Sequence, residues 1–204
     1  MKRKIKLKQR SEHTRKERKI FLIICEGGKT ERFYFKEFRT RNNNIRIEVP
    51  NCSYTDPLNL VKFAIKMKST YGIDIKRGDM IWCVFDVDCN KNEMIKNAKK
   101  EADKNKIEVI LSNPCFELWY LLHFEFTTSY ISTKQAVQKL EERYFNNYKK
   151  SQSYFDQLKP RLSRAAENAQ RLNRFHEGNQ TPLFSTESNP STQVFKLTAV
   201  LPVP

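Results

Sequence analysis

The chain has 204 residues, 39% of them hydrophobic, with 14 Phe, 8 Tyr and 2 Trp. That is enough to remove roughly 70% of the unfolded surface from water, which excludes disorder of the whole chain, and too short for a multi-domain polymerase or helicase. Lys and Arg number 38 against 23 Asp and Glu, a net charge of +15 that favours a polyanionic partner, nucleic acid first.

The charge is unevenly placed. Residues 1 to 19 hold ten basic side chains, Lys2, Arg3, Lys4, Lys6, Lys8, Arg10, Arg15, Lys16, Arg18 and Lys19, against Glu12 and Glu17. With no periodic apolar residues this stretch cannot bury a face. Residues 1 to 18 therefore read as a disordered arm in which Lys2, Arg3, Lys4, Lys6, Lys8 and Arg10 contact nucleic acid; a solvated tail without a role is the alternative. Deleting the arm is expected to leave the melting temperature nearly unchanged and to flatten the salt dependence of nucleic-acid binding.

Ile20 to Cys25 is a continuous apolar run, the pattern of a strand buried on both faces. It is too short for a signal-peptide core, and no stretch approaches the ~20 apolar residues of a membrane span. The run stops at Glu26-Gly27-Gly28-Lys29-Thr30, where Thr30 is placed to cap a helix through Phe38. Ile45 to Val49 reads as a second strand. Asp56-Pro57 is an N-cap followed by proline at the first helical position, and Leu58, Val61, Ala64 and Ile65 recur at helical spacing up to Gly72. Met80 to Phe85 is a third strand, ending at Asp86-Val87-Asp88. A helix over about 92 to 105 and a strand over Ile107 to Leu111 follow, and Asn113-Pro114 starts a helix carrying Leu118, Trp119, Leu121 and Leu122.

This alternation predicts an α/β domain over 19 to 126, a mainly parallel four-stranded sheet flanked by helices. Residues 127 to 204 are more polar and helix-prone, and read as a helical annex packed on the domain. Helices are expected over 133 to 147 and 161 to 175, with a loop over 176 to 188 and a last helix from Asn189-Pro190 to Val200. The cysteines, Cys25, Cys52, Cys83, Cys89 and Cys115, are odd in number and have no CxxC or Cys/His spacing, so neither a disulfide framework nor a zinc site is expected. A cytoplasmic protein fits best.

In an open parallel sheet, functional groups gather beyond the carboxyl ends of the strands. Glu26 ends the first strand, and Asp86 and Asp88 end the third, with the i, i+2 spacing of extended chain placing both aspartates on one side. Carboxylates crowded at such an edge repel one another unless a cation is present, and hard oxygen donors suit Mg²⁺ or Mn²⁺. The competing reading has the aspartates capping the turn and Glu26 facing solvent. Gly27-Gly28-Lys29-Thr30 fails the P-loop pattern, since the first glycine would have to be Ile23, but backbone N–H groups there could meet a phosphate oxygen with Lys29 beside them. Glu117, in the first turn after the fourth strand, is either an outer metal ligand or a helix N-terminal carboxylate. His123 and His176 are candidates for proton transfer, with a buried structural histidine the alternative for His123. Arg164 and Arg171, with Arg161 and Arg174, line one side of the late helix and could meet RNA or an acidic partner.

Cys25-Glu26-Gly27-Gly28-Lys29-Thr30-Glu31, Phe85-Asp86-Val87-Asp88, the segment Ser112 to Trp119 with Leu121 to Phe124, and Asn189 to Thr192 together resemble the RloB family, prokaryotic proteins linked to abortive-infection and restriction loci. The first two segments also resemble the Toprim domain of topoisomerases, primases and related nucleases. The resemblance implies a Toprim-like fold and Mg²⁺-dependent phosphodiester chemistry on RNA or DNA. In that chemistry Glu26 acts as acid/base or ligand and Asp86 and Asp88 hold metal; Lys29, from the reading of the residues themselves, is a further catalytic candidate, with a surface lysine the alternative. The resemblance also implies an ABC- or AAA-type ATPase as partner in phage defence. A non-catalytic nucleic-acid-binding or adaptor protein for such an ATPase is the alternative function.

Overall fold

In the computed structural model, residues 18–26, 28–40, 44–88 and 90–204 are described. Residues 1–17 of the arm, Gly27 and Cys89 lie outside them. The strand β1 (Lys19–Cys25) is the apolar run expected from the sequence, and β3 (Met80–Asp86) is its central partner. β2 (Ile45–Glu48) flanks β1, and β4 (Glu108–Asn113) flanks β3. All four pair in parallel.

The sheet has five strands rather than four, in the order β2-β1-β3-β4-β5. β5 is the dipeptide Ser191–Thr192, antiparallel to β4. Its two side chains are polar and buried, and Thr192 shares a 2.9 Å hydroxyl hydrogen bond with Ser112. The last helix therefore begins later than Asn189-Pro190 predicts: β5 intervenes, and α8 spans Val194–Thr198.

Side-chain alternation along each strand feeds two cores. Phe21, Ile23 and Cys25 of β1 and Trp82 and Val84 of β3 face one layer, while Leu22, Ile24, Ile81, Cys83 and Phe85 face the other. The second layer is covered by α2 (Pro57–Thr70), whose N-cap Asp56 accepts from the Asn59 N–H at 2.8 Å, and by α3 (Asn92–Lys104). The first layer is covered by α1 (Thr30–Lys36) and α4 (Glu117–Leu122) together with the late helices α5 (Thr133–Arg143), α6 (Phe155–Leu158), α7 (Leu162–Gly178) and α8. Residues beyond 127 thus share one hydrophobic core with the sheet. At its heart Tyr34 meets Phe35, Phe38, Phe116, Tyr120 and Phe155 with ring centroids 5.3–5.7 Å apart.

Polar ties close the remaining edges. Asp79 is buried and accepts from the Ile20 N–H at 2.7 Å and the Asp74 N–H at 2.8 Å, joining the start of β1 to the turn before β3. Asp79→Ala removes the acceptor for both donors, and leaving a buried donor unpaired costs about 1–3 kcal/mol. A chemical melt should show that loss; a midpoint equal to wild type would mean that water replaces the carboxylate. Cys25, Cys52, Cys83 and Cys115 are free and buried. Among the described residues no helix is long and apolar enough to cross a membrane.

Candidate functional site

Parallel pairing puts the carboxyl ends of β1, β3 and β4 on the same edge, and the chain leaves each of them through an acidic segment. A pocket of about 330 Å³ opens there, lined by Glu26, Gly28, Lys29, Thr30, Glu31, Asp86, Asp88, Glu117 and Lys150. Five carboxylates therefore share one concavity with two lysines.

Glu26 follows β1 directly, and its backbone N–H continues the ladder to the Val84 carbonyl at 2.9 Å. Its side chain turns toward β3, where Oε2 accepts from the Asp86 N–H at 2.9 Å. Burial pushes the Glu26 carboxyl up to about 7; the Asp86 N–H bond pulls it down, and the charges of Asp88 and Asp56 push it up again. Asp86 ends β3 with Oδ1 buried and without a hydrogen-bond partner. Burial raises its carboxyl well above the usual range, and Glu31, Glu117 and Glu26 raise it further.

Asp88 reaches the pocket by a different route from the extended spacing expected for it. The strand stops at Asp86, and Asp88 sits in an exposed turn held by its N–H to the Pro114 carbonyl at 3.0 Å. Thr133, at the start of α5, donates to Asp88 Oδ1 at 3.1 Å.

Glu117 is 1% exposed, so it is not a surface carboxylate attracted to a helix end. Its Oε1 accepts from the Thr30 hydroxyl at 3.2 Å and the Tyr148 hydroxyl at 3.0 Å, and lies 3.3 Å from Lys150 Nζ. Thr30 is therefore the first residue of α1 and a Glu117 donor, not the cap. The N-cap position is Lys29, which makes no side-chain capping bond. Lys29 and Gly28 are exposed on the pocket wall, and a Cβ at Gly28 would meet nothing within 4 Å.

Two pocket residues are not singled out by the sequence. Glu31 stands there only as the last residue of the Cys25–Glu31 segment that carries the family resemblance, with no role assigned; it is buried, and its carboxyl is pushed up to about 8 by burial, with Glu117 and Glu26 adding to the rise and Lys150 opposing it. An acid directly following Thr30 is the available signal. Lys150 has no signal, because only tertiary packing brings it here. Partial burial pulls its ammonium down, but Glu117, Cys115 and Asp86 together raise it.

The segment read as a packed helical annex, residues 127 to 204, also reaches this edge: Thr133, Tyr148 and Lys150 all come from it. The histidines lie elsewhere. His123 is fully buried, pairs through Nδ1 with the Trp119 carbonyl at 2.8 Å, and is driven down to about 4 by desolvation. His176 is buried with Nε2 2.9 Å from the Pro190 carbonyl. Arg164 and Arg171 are exposed on α7, and the Arg171 guanidinium lies 3.9 Å from the centre of the Phe126 ring.

The pocket's donors suit a hard cation in kind, since every acid offers oxygen and Asp86 Oδ1 is buried without a partner. Among the described residues, however, no three His, Cys, Asp or Glu side chains form a ready-made metal cage.

Compared with known protein families, residues 21–201 match the family described as RloB-like protein. The chain belongs to the RloB-like family. No curated protein and no solved structure gives a match. The matched region contains every described pocket residue, including Lys150 from the segment beyond 127.

Proposed function

We propose that this RloB-like protein is a metal-dependent nuclease of the Toprim type, hydrolysing phosphodiester bonds of RNA or DNA with Mg²⁺ or Mn²⁺. The observation that carries the reading is Asp86, whose Oδ1 is buried and partnerless in a pocket where Glu26, Glu31, Asp88 and Glu117 also gather. Such a cluster is electrostatically costly by itself, and a divalent cation is the simplest group to relieve it.

In this reading Asp86 and Asp88 hold the cation, with Glu31 and Glu117 as the acids behind them. A bound Mg²⁺ supplies a Lewis-acid centre for the phosphoryl oxygens. Glu26 serves beside that cation as the general base or acid. Its Oε2 is already fixed by the Asp86 N–H. Lys29, exposed on the rim, adds positive charge where the substrate backbone would enter. The arm and the arginines Arg164 and Arg171 supply sequence-independent affinity. The resemblance to RloB proteins of abortive-infection and restriction loci motivates a role in phage defence beside an ABC- or AAA-type ATPase.

The test is to incubate the purified protein with plasmid, single-stranded DNA and total RNA, in Mg²⁺, Mn²⁺ or chelator, with and without an ATPase encoded beside it. Cleavage that needs the divalent cation is expected. Binding of nucleic acid without cleavage under every condition would replace the nuclease by an adaptor that keeps the fold.

A further inference from the structure

The loop between α5 and α6 is built to hold one lysine over the acidic pocket. Phe145 and Tyr154, at its two ends, stack with ring centroids 4.3 Å apart, and Tyr148 packs on Tyr154 at 5.2 Å. The Lys149 N–H donates to the Tyr154 hydroxyl at 2.8 Å, and the Tyr148 hydroxyl anchors to Glu117 at 3.0 Å. These ties fix the backbone leading into Lys150. Its side chain is half exposed and its Nζ lies 3.3 Å from Glu117 Oε1.

A phosphodiester entering this pocket brings negative charge to an acid-rich wall, so positive groups beside the cation proposed above favour its entry. Lys29 and Lys150 both line the pocket. An ammonium has three N–H donors; Nζ is ion-paired with Glu117 on one side, and Lys150 lines the pocket. Glu117 is itself held by Thr30 and Tyr148, so it positions the lysine.

We propose that Lys150 is a substrate-phosphate ligand of this pocket, its ammonium binding a non-bridging oxygen of the phosphodiester while Glu117 holds it in place. The assignment rests on reading the pocket as a phosphodiester site. It makes the segment beyond residue 127 a supplier of substrate-binding chemistry, in addition to a packing layer.

The test uses dinucleoside monophosphates, UpU and TpT, because a probe with a single phosphodiester gives one contact a large share of the affinity. Binding to the full chain is followed by NMR titration in Ca²⁺. A charge-assisted hydrogen bond is worth about 1.5–3 kcal/mol, so Lys150→Met should weaken binding by roughly 10-fold or more. Lys149→Met, the same charge change one residue away, should alter it less than about 2-fold. Lys150→Arg should keep most of the affinity, and serves as the folded comparison if Lys150→Met is unstable. In a Glu117→Gln background, Lys150→Met should still weaken binding. Recovery of wild-type affinity in that double variant would show that the lysine only neutralises Glu117, and would overturn the proposal, as would Lys150→Met binding like wild type or the wild type showing no saturable binding. Probe binding that depends on Lys150 in a protein that cleaves nothing would remove the nuclease reading and leave this assignment standing.

Discussion

Glu26→Gln and Asp86→Asn should each reduce divalent-dependent cleavage by roughly 10²-fold or more, the scale of losing several kcal/mol of transition-state charge stabilisation. Neither should lower the melting temperature. Both substitutions are near isosteric, and a glutamine oxygen can still accept from the Asp86 N–H that Glu26 Oε2 accepts from now. Without a cation the wild-type cluster is strained by burial and mutual repulsion, so removing one acid relieves it and the apo variants should melt at or above the wild-type temperature. This pairing of lost activity with retained or gained stability is the signature of a functional site under electrostatic load. Substitution by Ala instead would mix in a packing defect. If both variants cleave as wild type does, the observed hydrolysis belongs elsewhere or to a contaminant. If they lose activity and also unfold, the carboxylates are structural.

What the sequence discloses, and what it conceals, follows from the range of the interactions involved. β1 and β3 are legible because a strand buried on both faces must be apolar at every position, and Asp56-Pro57 is legible because capping is local chemistry. Glu26, Asp86 and Asp88 are legible as strand-end acids, since parallel topology carries strand ends to one edge. β5 is hidden: two polar residues have no periodicity, and they are strand only because Ser112 and Leu111 of β4 pair with Thr192 and Gln193. Glu31 is hidden because a first-turn glutamate is ordinary until tertiary packing buries it. Glu117 can be placed near the edge from sequence, but its role as the hub for Thr30, Tyr148 and Lys150 cannot, since its partners come from distant segments. Lys150 is one of many lysines in a basic chain. A division of the chain at residue 127 likewise follows composition, whereas the core ignores it, with Leu140, Phe155 and Leu172 packing in the same layer as Phe21 and Trp82.

The apo protein should lose thermal stability as pH rises from about 6.5 to 8, and a divalent cation should restore it. Glu31 and Glu26 have ordinary carboxyl values of 4.5 and are raised to about 8 and about 7 in the folded chain, and Asp86 is raised in the same direction. Between the unfolded and folded values the folded state binds more protons than the unfolded one, so stability falls with rising pH. The contribution is fully present below about pH 4.5 and is gone above about pH 8. His123 works the other way, because its value falls from 6.5 to about 4 on folding; it removes stability as pH drops below 6.5 and partly masks the carboxylates there. Above pH 6.5 the acids act alone. A tenfold change in a group's proton affinity corresponds to about 1.4 kcal/mol, and sharing among neighbouring acids leaves a fall in Tm on the order of 5 °C for a chain of this size. At pH 8 the cluster is ionised and ready for Mg²⁺ or Mn²⁺, which bind the folded state and should raise Tm with concentration. Glu31→Gln should flatten the pH dependence, raise the apo Tm at pH 8 and shrink the gain from added cation. A wild-type Tm that stays level or climbs from pH 6.5 to 8, or a Glu31→Gln variant with the wild-type slope, would show that the buried acids are already neutralised by their neighbours, Lys150 first among them, and that the pocket does not need a metal to be at rest.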